Sequence, residues 1–380
     1  MRPFLADFGI TRVGRVTGLD RIGIPTFIAV RPNGRSFSVT QGKGLDDDAA
    51  EASAIMEAVE QAIAEKPDVP TVSASVTDLQ EAGEPFIRPA RFMKPDATLD
   101  PTQAIDWIAG WDLIGEKQTW VPFDVVILDF AENSPRAPHP FYQSSDGLAS
   151  GNLLLEAILH GLYERVERDS ATLWSYRSVD EITERCIDPE VFADAEMSDL
   201  AAQIAAAGVR LRIFDITSDL GIPTFFALVA DEATDGQGRR LDVCRGSGCH
   251  PLPVRAAIRA VTEAAQSRLT GISAARDDFG PDLYAAKLDP RLTKLMAAHP
   301  GHLGVDPSTG SLFEAGDQLR DAVECFRRNG IRSAVAVPLG GEPFGIAVVK
   351  MIIPDLEDPP DIPHRVLGRR ALNAMMGQAQ

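Results

Sequence analysis

The sequence lacks the features that mark several common classes of protein. No run of about 18 apolar residues occurs, so we expect no transmembrane helix. No block of basic residues stands out and the net charge is -18, which argues against nucleic-acid binding because such binding requires neutralised phosphates. The N-terminal stretch has charges inside any would-be apolar core, so we expect no signal peptide.

Cysteines are few and are spaced without a recognisable pattern. The four of them, Cys186, Cys244, Cys249 and Cys325, form no CxxC pair and no zinc-ligand spacing. We therefore expect reduced thiols and a cytoplasmic protein. Cys249, in the segment GSGCH, is either a reactive thiol or a buried structural one, and we favour the buried structural thiol.

Familiar nucleotide-binding loops are also missing. The chain has no GxxxxGK[ST] and no GxGxxG after a first strand. Its hydrophobic fraction of 44% and charged fraction of 24% are those of an ordinary globular protein. No low-complexity linker divides the 380 residues, so we predict one interleaved domain over residues 1–380.

Residues 144–168 combine a glycine-containing segment with a helical pattern. Five polar side chains share a sector of about 120° on the helical wheel: Asn152, Glu156, His160, Glu164 and Glu167. Arg168 lies at the edge of this sector. Apolar residues occupy much of the rest, which is typical of a buried helix, and buried carboxylates require metal ions or arginine as partners. The alternative is a solvated acidic stripe with Arg165 and Arg168 as helical ion-pair partners.

Two stretches of the chain repeat each other. Residues 23–27, GIPTF, recur as residues 221–225, and each copy precedes a polar strand, a glycine pair and an alanine-rich helix. We predict a duplicated strand–strand–glycine–helix unit over residues 9–66 and 209–275. The alternative is two unrelated apolar strands. Overlaying the helices aligns three positions of one face: Ser53 with Arg259, Glu57 with Glu263, and Glu60 with Gln266.

The central segment, residues 144–169, repeats the glycine-to-helix half of this unit. If the three helices pack around one centre, they form a pocket lined by carboxylates, the ligands of hard cations such as magnesium. Magnesium usually brings substrate phosphates with it. The glycine turns and helix N-termini, with Lys43, Arg12 or Arg268 nearby, are candidates for binding those phosphates.

Three motifs in this order resemble the YcaO family over nearly the whole chain. SSDGLASGNLLLEAILHGLYERVERD is close to the central family signature, SAIMEAVE at 53–60 fits SxxxExxE, and TEAAQSRL at 262–269 followed by RDD at 276–278 fits the third. GITRVGRVTGLDRIGIP and VVKMIIPDLE are similar to the TfuA-associated branch. The resemblance implies an α+β YcaO-type fold around a central pocket for ATP and Mg²⁺.

The resemblance also implies an activity. Members of the family use ATP to activate a peptide-backbone amide, whose oxygen is phosphorylated and then displaced. Displacement by sulfide gives a thioamide, and attack by a neighbouring Cys, Ser or Thr gives an azoline. We expect thioamide formation with a TfuA-like partner and a peptide or protein substrate. The alternatives are an azoline-forming cyclodehydratase and a non-enzymatic, nucleotide-binding maturation scaffold. The sequence leaves open whether the chain forms a homodimer.

Site residues follow from the same resemblance, position by position. The implied metal ligands are Glu57, Glu60, Glu164 and Glu167. The implied cofactor-binding residues are Lys43, Ser53, Asn152, Glu156, Arg168, Glu263, Gln266 and Arg268. Arg168 or Arg268 would stabilise the charge that develops on the phosphoryl group, which makes them the implied catalytic residues.

The chain departs from the family pattern in two places. Ala149 stands where some members have serine, which removes one polar contact to nucleotide or metal. The C-terminal sequence HRVLGRRALNAMMGQAQ lacks the PxPxP pattern of azoline-forming cyclodehydratases. We take this second departure to favour the TfuA-partnered thioamidation branch.

Overall fold

The computed structural model describes residues 1–234, 238–276, 279–301, 314–359 and 366–377. Within them the strands are β1 Arg12–Arg15, β2 Thr26–Val30, β3 Val39–Lys43, β4 Thr71–Ala74, β5 Ile105–Asp112, β6 Lys117–Pro122, β7 Leu148–Gly151, β8 Cys186–Ile187, β9 Val209–Asp215, β10 Thr224–Asp231, β11 Val243–Cys249, β12 Val335–Gly340 and β13 Ala347–Ile352. The helices are α1 Asp47–Glu65, α2 Val76–Glu81, α3 Phe123–Val126, α4 Leu154–Ser175, α5 Val179–Thr183, α6 Ala195–Ala206, α7 Pro253–Ser273, α8 Pro281–Ala285, α9 Pro290–Met296, α10 Ala315–Arg328 and α11 Arg369–Met375.

The strands form three antiparallel sheets. One has the order β1-β2-β3 and another the order β11-β10-β9-β8. The largest has the order β4-β5-β12-β13-β7, with β6 paired to β5. This mixture of helices and sheets is the α+β class expected from the sequence.

The two repeated stretches have the same order of elements. In each, three antiparallel strands precede a long helix: β1, β2 and β3 before α1, and β9, β10 and β11 before α7. The predicted unit had one strand fewer. Asp46 caps the N-terminus of α1 by accepting a hydrogen bond from the Ala49 amide at 2.7 Å, which fixes the helix start at Asp47.

Each long helix buries an alanine-rich face on its sheet. Ala50, Ala54 and Ala58 of α1 are fully buried, as are Ala256 and Ala260 of α7. Small side chains let helix and strand backbones approach closely. The polar residues between these alanines therefore lie near the sheet and can reach a shared space beside it.

Two predictions in the region of residues 67–143 were incomplete or wrong. The apolar run at residues 119–129 predicts one or two strands; β6 contains its first residues, but the chain turns into α3 after Pro122. The eight-residue strand β5 was missed, although it is central to the largest sheet. Trp107, in β5, is fully buried, so this strand is fixed by packing rather than by a local alternating pattern.

All four cysteines are buried and none forms a disulfide. Burial raises the pKa of Cys249 to about 12, as expected for a structural thiol rather than a reactive one. Among the described residues, no helix is long and apolar enough to cross a membrane.

Candidate active site

A cavity of about 1060 Å³ lies where α1, α4 and α7 meet strands β3 and β7. It is lined by every predicted site residue except Arg268: Lys43, Ser53, Glu57, Glu60, Asn152, Glu156, Glu164, Glu167, Arg168, Glu263 and Gln266. Its volume exceeds that of a typical small-molecule pocket. The helices thus bring together side chains that are far apart in the sequence.

Glycines allow the three helices to approach their strands. A Cβ atom at Gly42 would overlap the backbone of Ala54 in α1, and one at Gly246 would overlap the backbone of Ala260 in α7. These glycines lie within β3 and β11 rather than in turns. The segments expected to be glycine turns are therefore strands at these two positions, where the glycines serve close backbone packing.

The helix N-termini expected to bind phosphate are already occupied by carboxylates. Asp46 caps α1, and Asp47 and Asp48 follow in its first turn. At α4, Glu156 accepts hydrogen bonds from the backbone amides of Asn152 at 2.9 Å and Leu153 at 3.3 Å. These amides are consequently satisfied from within the chain.

The α1 carboxylates are desolvated and poorly compensated. Burial raises the pKa of Glu60 to about 8, and the negative charges of Glu57 and Glu164 add to this shift. A hydrogen bond that Ser150 donates to Glu60 at 2.6 Å opposes it. Burial also raises the pKa of Glu57, although Lys43 opposes the shift. Glu60 therefore holds a proton at neutral pH, and a cation would favour its ionised form.

The α4 carboxylates share one arginine. Arg168 contacts Glu167 at 3.1 Å, Glu164 at 3.4 Å and Asp146 at 3.3 Å. Burial raises the pKa of Glu164 to about 7, with Arg168 opposing that shift. Burial alone would lower the pKa of Arg168, but the surrounding carboxylates raise it. The guanidinium is thus permanently charged at the centre of the acidic cluster.

Glu263 differs from the other acids because it already has a cationic partner. Lys43 Nζ lies 2.7 Å from Glu263 Oε2, which links β3 to α7. Burial alone would raise the pKa of Glu263, but the charges of Lys43 and Arg168 lower it. Among the predicted residues, this pair is the one best suited to holding the two repeated stretches together.

Sequence reasoning missed several cavity contacts. Ser247 donates a hydrogen bond to Glu167 at 2.7 Å, and its amide donates to Glu263 at 3.3 Å. Ser247 lies between Gly246 and Gly248, as Lys43 lies between Gly42 and Gly44. The repeat therefore aligns Ser247 with Lys43, a position that the overlay of the helices alone does not include.

Arg268 is the predicted site residue that the structure places elsewhere. Its guanidinium pairs with Asp20 at 3.0 Å and with Asp231 at 3.0 Å, away from the cavity wall. Its implied role in stabilising phosphoryl charge is therefore corrected to a structural ion pair. Arg276 does line the cavity, whereas the other two residues of its motif, 277 and 278, lie outside the described residues.

The donor set suits magnesium bound together with phosphates. Within the described part of the chain, no three acidic, histidine or cysteine side chains are already gathered closely enough to hold a metal ion. Mg²⁺ is commonly held by one or two carboxylates plus substrate phosphates, so a preformed cage is not required. The raised pKa values of Glu57, Glu60 and Glu164 mark the carboxylates whose ionised form a bound cation would favour.

Comparison with known proteins gives a consistent result. A family model described as YcaO cyclodehydratase, ATP- and Mg²⁺-binding, matches residues 41–357. A protein of Rhizobium leguminosarum bv. trifolii, described as an uncharacterized protein in a tfuA 3' region, is 38% identical over 99% of this chain and 90% of its own. An uncharacterized protein of Methanothermobacter thermautotrophicus is 33% identical over 96% of this chain and 94% of its own.

Solved structures share the fold at low sequence identity. The YcaO protein of Methanopyrus kandleri, bound with AMPPCP and Mg²⁺, has a TM-score of 0.72 and 23% identity over 96% of this chain and 91% of its own. A heterocyclase in complex with substrate and cofactor has a TM-score of 0.77 and 22% identity over 97% of this chain. This chain spans about half the length of that heterocyclase, 52%.

Proposed function

Because this chain belongs to the YcaO family, whose model describes ATP and Mg²⁺ binding, we propose that it uses ATP to activate a peptide-backbone amide. Amide resonance makes the carbonyl carbon a poor electrophile. Phosphorylation of the carbonyl oxygen turns that oxygen into part of a leaving group. The observation that supports this proposal most is the gathering of four glutamates from α1 and α4 in one large cavity, where the two from α4 pair with Arg168.

The charged residues at the centre of the cavity divide into two groups by their proposed role. Glu57, Glu60, Glu164 and Glu167 would hold magnesium, which neutralises phosphate charge when bound. Arg168 would orient two of these carboxylates and stabilise charge that develops on the phosphoryl group.

The remaining predicted residues would complete the nucleotide site. Ser53, Asn152, Glu156 and Gln266 line the cavity beside the acids. Gln266 donates a hydrogen bond to the Gln41 carbonyl at 3.0 Å, which fixes its amide against β3. Lys43 and Glu263 would position β3 and α7 around the nucleotide through their ion pair.

Thioamide formation with a TfuA-like partner is the reaction we propose. It is supported by the 38% identical relative, which is described as lying in a tfuA 3' region. In the balanced reaction, sulfide adds to the activated carbon and the former amide oxygen leaves with phosphate. The products are a thioamide, ADP and phosphate. The partner would deliver sulfur or complete the active site.

Azoline formation is the second candidate. It is favoured by the description of the family model as a cyclodehydratase and by the heterocyclase of the same fold. The two reactions share the activation step and differ in the nucleophile, which is external sulfide in one and a neighbouring Cys, Ser or Thr in the other. The cavity residues are the same in both cases.

Intact-mass spectrometry distinguishes these reactions. The chain is incubated with a candidate peptide, ATP, Mg²⁺, sulfide and a TfuA-like protein. In both reactions the amide oxygen leaves with phosphate, but sulfur replaces it in thioamidation, whereas azoline formation removes the elements of water from the peptide. The peptide therefore gains about 16 Da or loses about 18 Da. A gain supports thioamidation and a loss supports the azoline alternative. An unchanged mass, when a known family enzyme modifies the same peptide in parallel, contradicts both.

A further inference from the structure

A second, smaller cavity lies beside α4 and β13. Its volume is about 60 Å³, whereas pockets for drug-sized ligands measure about 300 Å³ or more. The small cavity is therefore too small for a nucleotide or a peptide and fits a ligand of a few atoms. None of its described lining residues is in the predicted set of cofactor, metal or catalytic residues. The proposed roles thus leave this cavity unexplained.

The small cavity shares a wall with the large one. Ser144 lines the small cavity, and Ser145, the next residue, lines the large one. Asp146 lines the small cavity and pairs at 3.3 Å with Arg168, which lines the large one. Residues 144–146 therefore separate a ligand in the small cavity from the acidic cluster by the thickness of one residue.

The small cavity also reaches solvent. Val366, which lines it, is 56% exposed. This residue lies just before α11, and the described lining of the large cavity includes no residue from that part of the chain. A small ligand can therefore enter the small cavity without passing through the cavity proposed for ATP and magnesium.

Lys350 is the lining cation that lacks an acidic partner. It is buried, and its Nζ donates a hydrogen bond to the carbonyl of Ser144. Arg165 pairs with Asp358 at 3.0 Å, and Arg91 pairs with the same carboxylate at 3.2 Å. Among the described residues, Lys350 makes no comparable ion pair. Because an ammonium carries three N–H donors, donors of Lys350 remain for a ligand.

The charge of Lys350 favours an anionic ligand. Burial lowers the pKa of Lys350 to about 8, although the charges of Asp146 and Glu164 oppose this shift. The side chain is therefore mostly an ammonium at neutral pH. Asp146 is already paired with Arg168, and Glu164 contacts the same arginine. Since buried charges are usually paired directly, a bound anion is the expected partner of Lys350.

The rest of the lining favours a monovalent, polarizable anion. Phe92, Met93, Val125 and Met351 give the small cavity apolar sides, and thioether sulfur is itself polarizable. A multivalent anion such as phosphate needs several charged donors in place of its water, whereas Lys350 is a single one. Hydrosulfide carries one charge on one polarizable atom, and the proposed thioamide-forming reaction consumes it.

We propose that the small cavity binds hydrosulfide, with Lys350 as its cationic partner, and supplies it as the nucleophile for thioamide formation. This inference rests on that proposed function. In the reaction the carbon–sulfur bond forms and the carbon–oxygen bond breaks, so the oxygen leaves with phosphate. The hydrosulfide proton passes to the nitrogen of the former amide, which lost its own proton on activation. A separate site for the nucleophile leaves the large cavity to ATP, magnesium and the peptide.

Crystals soaked in sodium bromide test the site without any need for activity. Bromide is monovalent and polarizable, and its anomalous scattering locates it. Wild type should show bromide against Lys350 Nζ, and sodium hydrosulfide should displace it. Lys350→Met, which keeps the side-chain length and removes the charge, should show none. Lys94→Met is the matched control, because Lys94 also donates to a backbone carbonyl, that of His139 at 3.1 Å, but does not line the small cavity.

Three results of the soaks would overturn the inference and leave the proposed function standing. They are no bromide in the small cavity of wild type, equal bromide in Lys350→Met, and bromide that hydrosulfide does not displace. The last would mark an adventitious ion only. Because the wild-type soak decides the first and third outcomes, the test does not depend on the folding of Lys350→Met.

The sulfide dependence of thioamide formation tests what the site does. Loss of a charged hydrogen-bond donor in Lys350→Met should raise the half-saturating sulfide concentration at least about tenfold, with that of ATP within about twofold. Lys94→Met should change neither. An unchanged sulfide dependence in Lys350→Met would contradict the hydrosulfide assignment. If wild type forms no thioamide on a peptide that a known family enzyme modifies in parallel, the proposed function fails and the hydrosulfide assignment with it.

Discussion

At the scale of single residues, Glu57 and Glu167 reach the cavity from different helices. Substituting either with glutamine keeps its shape and removes one negative charge. If both carboxylates hold magnesium, Glu57→Gln and Glu167→Gln should abolish measurable MgATP binding while the protein stays folded. Relief of repulsion within the acidic cluster helps preserve the fold. Isothermal titration calorimetry and circular dichroism measure the two effects.

Glu324→Gln is the control for this pair of variants. Glu324 lies on α10, with 58% of its side chain exposed, and is paired loosely with Arg328. It should bind MgATP as wild type does. Undiminished affinity in both cavity variants would contradict the assignment of these carboxylates to the metal site.

Glu60 gives a prediction about pH in the metal-free protein. Its pKa is about 8 in the folded state and 4.5 in the unfolded chain. Between these values the folded state binds the proton more tightly, so this residue's contribution to stability falls as pH rises. Glu60→Gln mimics the protonated form. The variant should be about as stable as wild type near pH 4.5 and increasingly more stable up to pH 8 or above.

Urea denaturation in the presence of a chelator, repeated across this pH range, measures the effect. Glutamine retains an oxygen that can accept the Ser150 hydrogen bond, so the comparison isolates the charge. A stability difference that stays constant with pH would show that the pKa of Glu60 is not raised. Glu324→Gln again serves as the exposed control.

The residues of the cavity could be predicted wherever one helix carried them. Glu156, Glu164 and Glu167 share a face of α4, and periodicity alone groups them. Arg268 was assigned to the site by its position in the motif. Its actual partners, Asp20 and Asp231, are far away in sequence, and the residues around Arg268 do not indicate this pairing. Ion pairs between distant segments are set by tertiary packing, which a single sequence does not display.

At the scale of elements, strand glycines control how closely the helices pack. Gly246→Ala should force α7 away from β11, because the new Cβ would overlap the backbone of Ala260. We expect a loss of about 2 kcal/mol or more in the free energy of unfolding, as for other overpacked sites. Gly316→Ala is the control, since a Cβ there meets nothing within 4 Å. Urea denaturation compares the two, and equal stabilities would contradict the packing role.

The predicted helices and strands match the structure where the residue pattern and the burial of the segment agree. Residues 209–215 predict a strand from their pattern, and this strand is β9 with the same limits. Residues 316–328 predict a helix, and this helix is α10, one residue longer. The strand β5 was missed because apolar or small residues occupy both of its faces, with Trp107 buried on one and Ile108 on the other, so polar and apolar residues do not alternate along it. The short apolar run after Pro122 fits a buried strand or a buried helix equally well, and the structure has the helix α3 there.

At the scale of the whole molecule, ligand binding should be visible as stabilisation. Magnesium with a non-hydrolysed ATP analogue should raise the melting temperature of wild type, since a ligand at 100 times its dissociation constant adds about 2.7 kcal/mol. Glu57→Gln should show no shift under the same conditions. Differential scanning fluorimetry records both. No shift in wild type at saturating analogue would count against a nucleotide site in this cavity.

In the proposed reaction, the amide oxygen itself is phosphorylated. The most direct test uses a peptide labelled with oxygen-18 at the amide carbonyl that is modified, together with ATP, Mg²⁺, sulfide and a TfuA-like protein. Mass spectrometry of the released phosphate then reports where the label goes. Because activation makes the amide oxygen part of the leaving group, we expect one oxygen-18 in each phosphate released per modified peptide. Modified peptide formed together with unlabelled phosphate would contradict it.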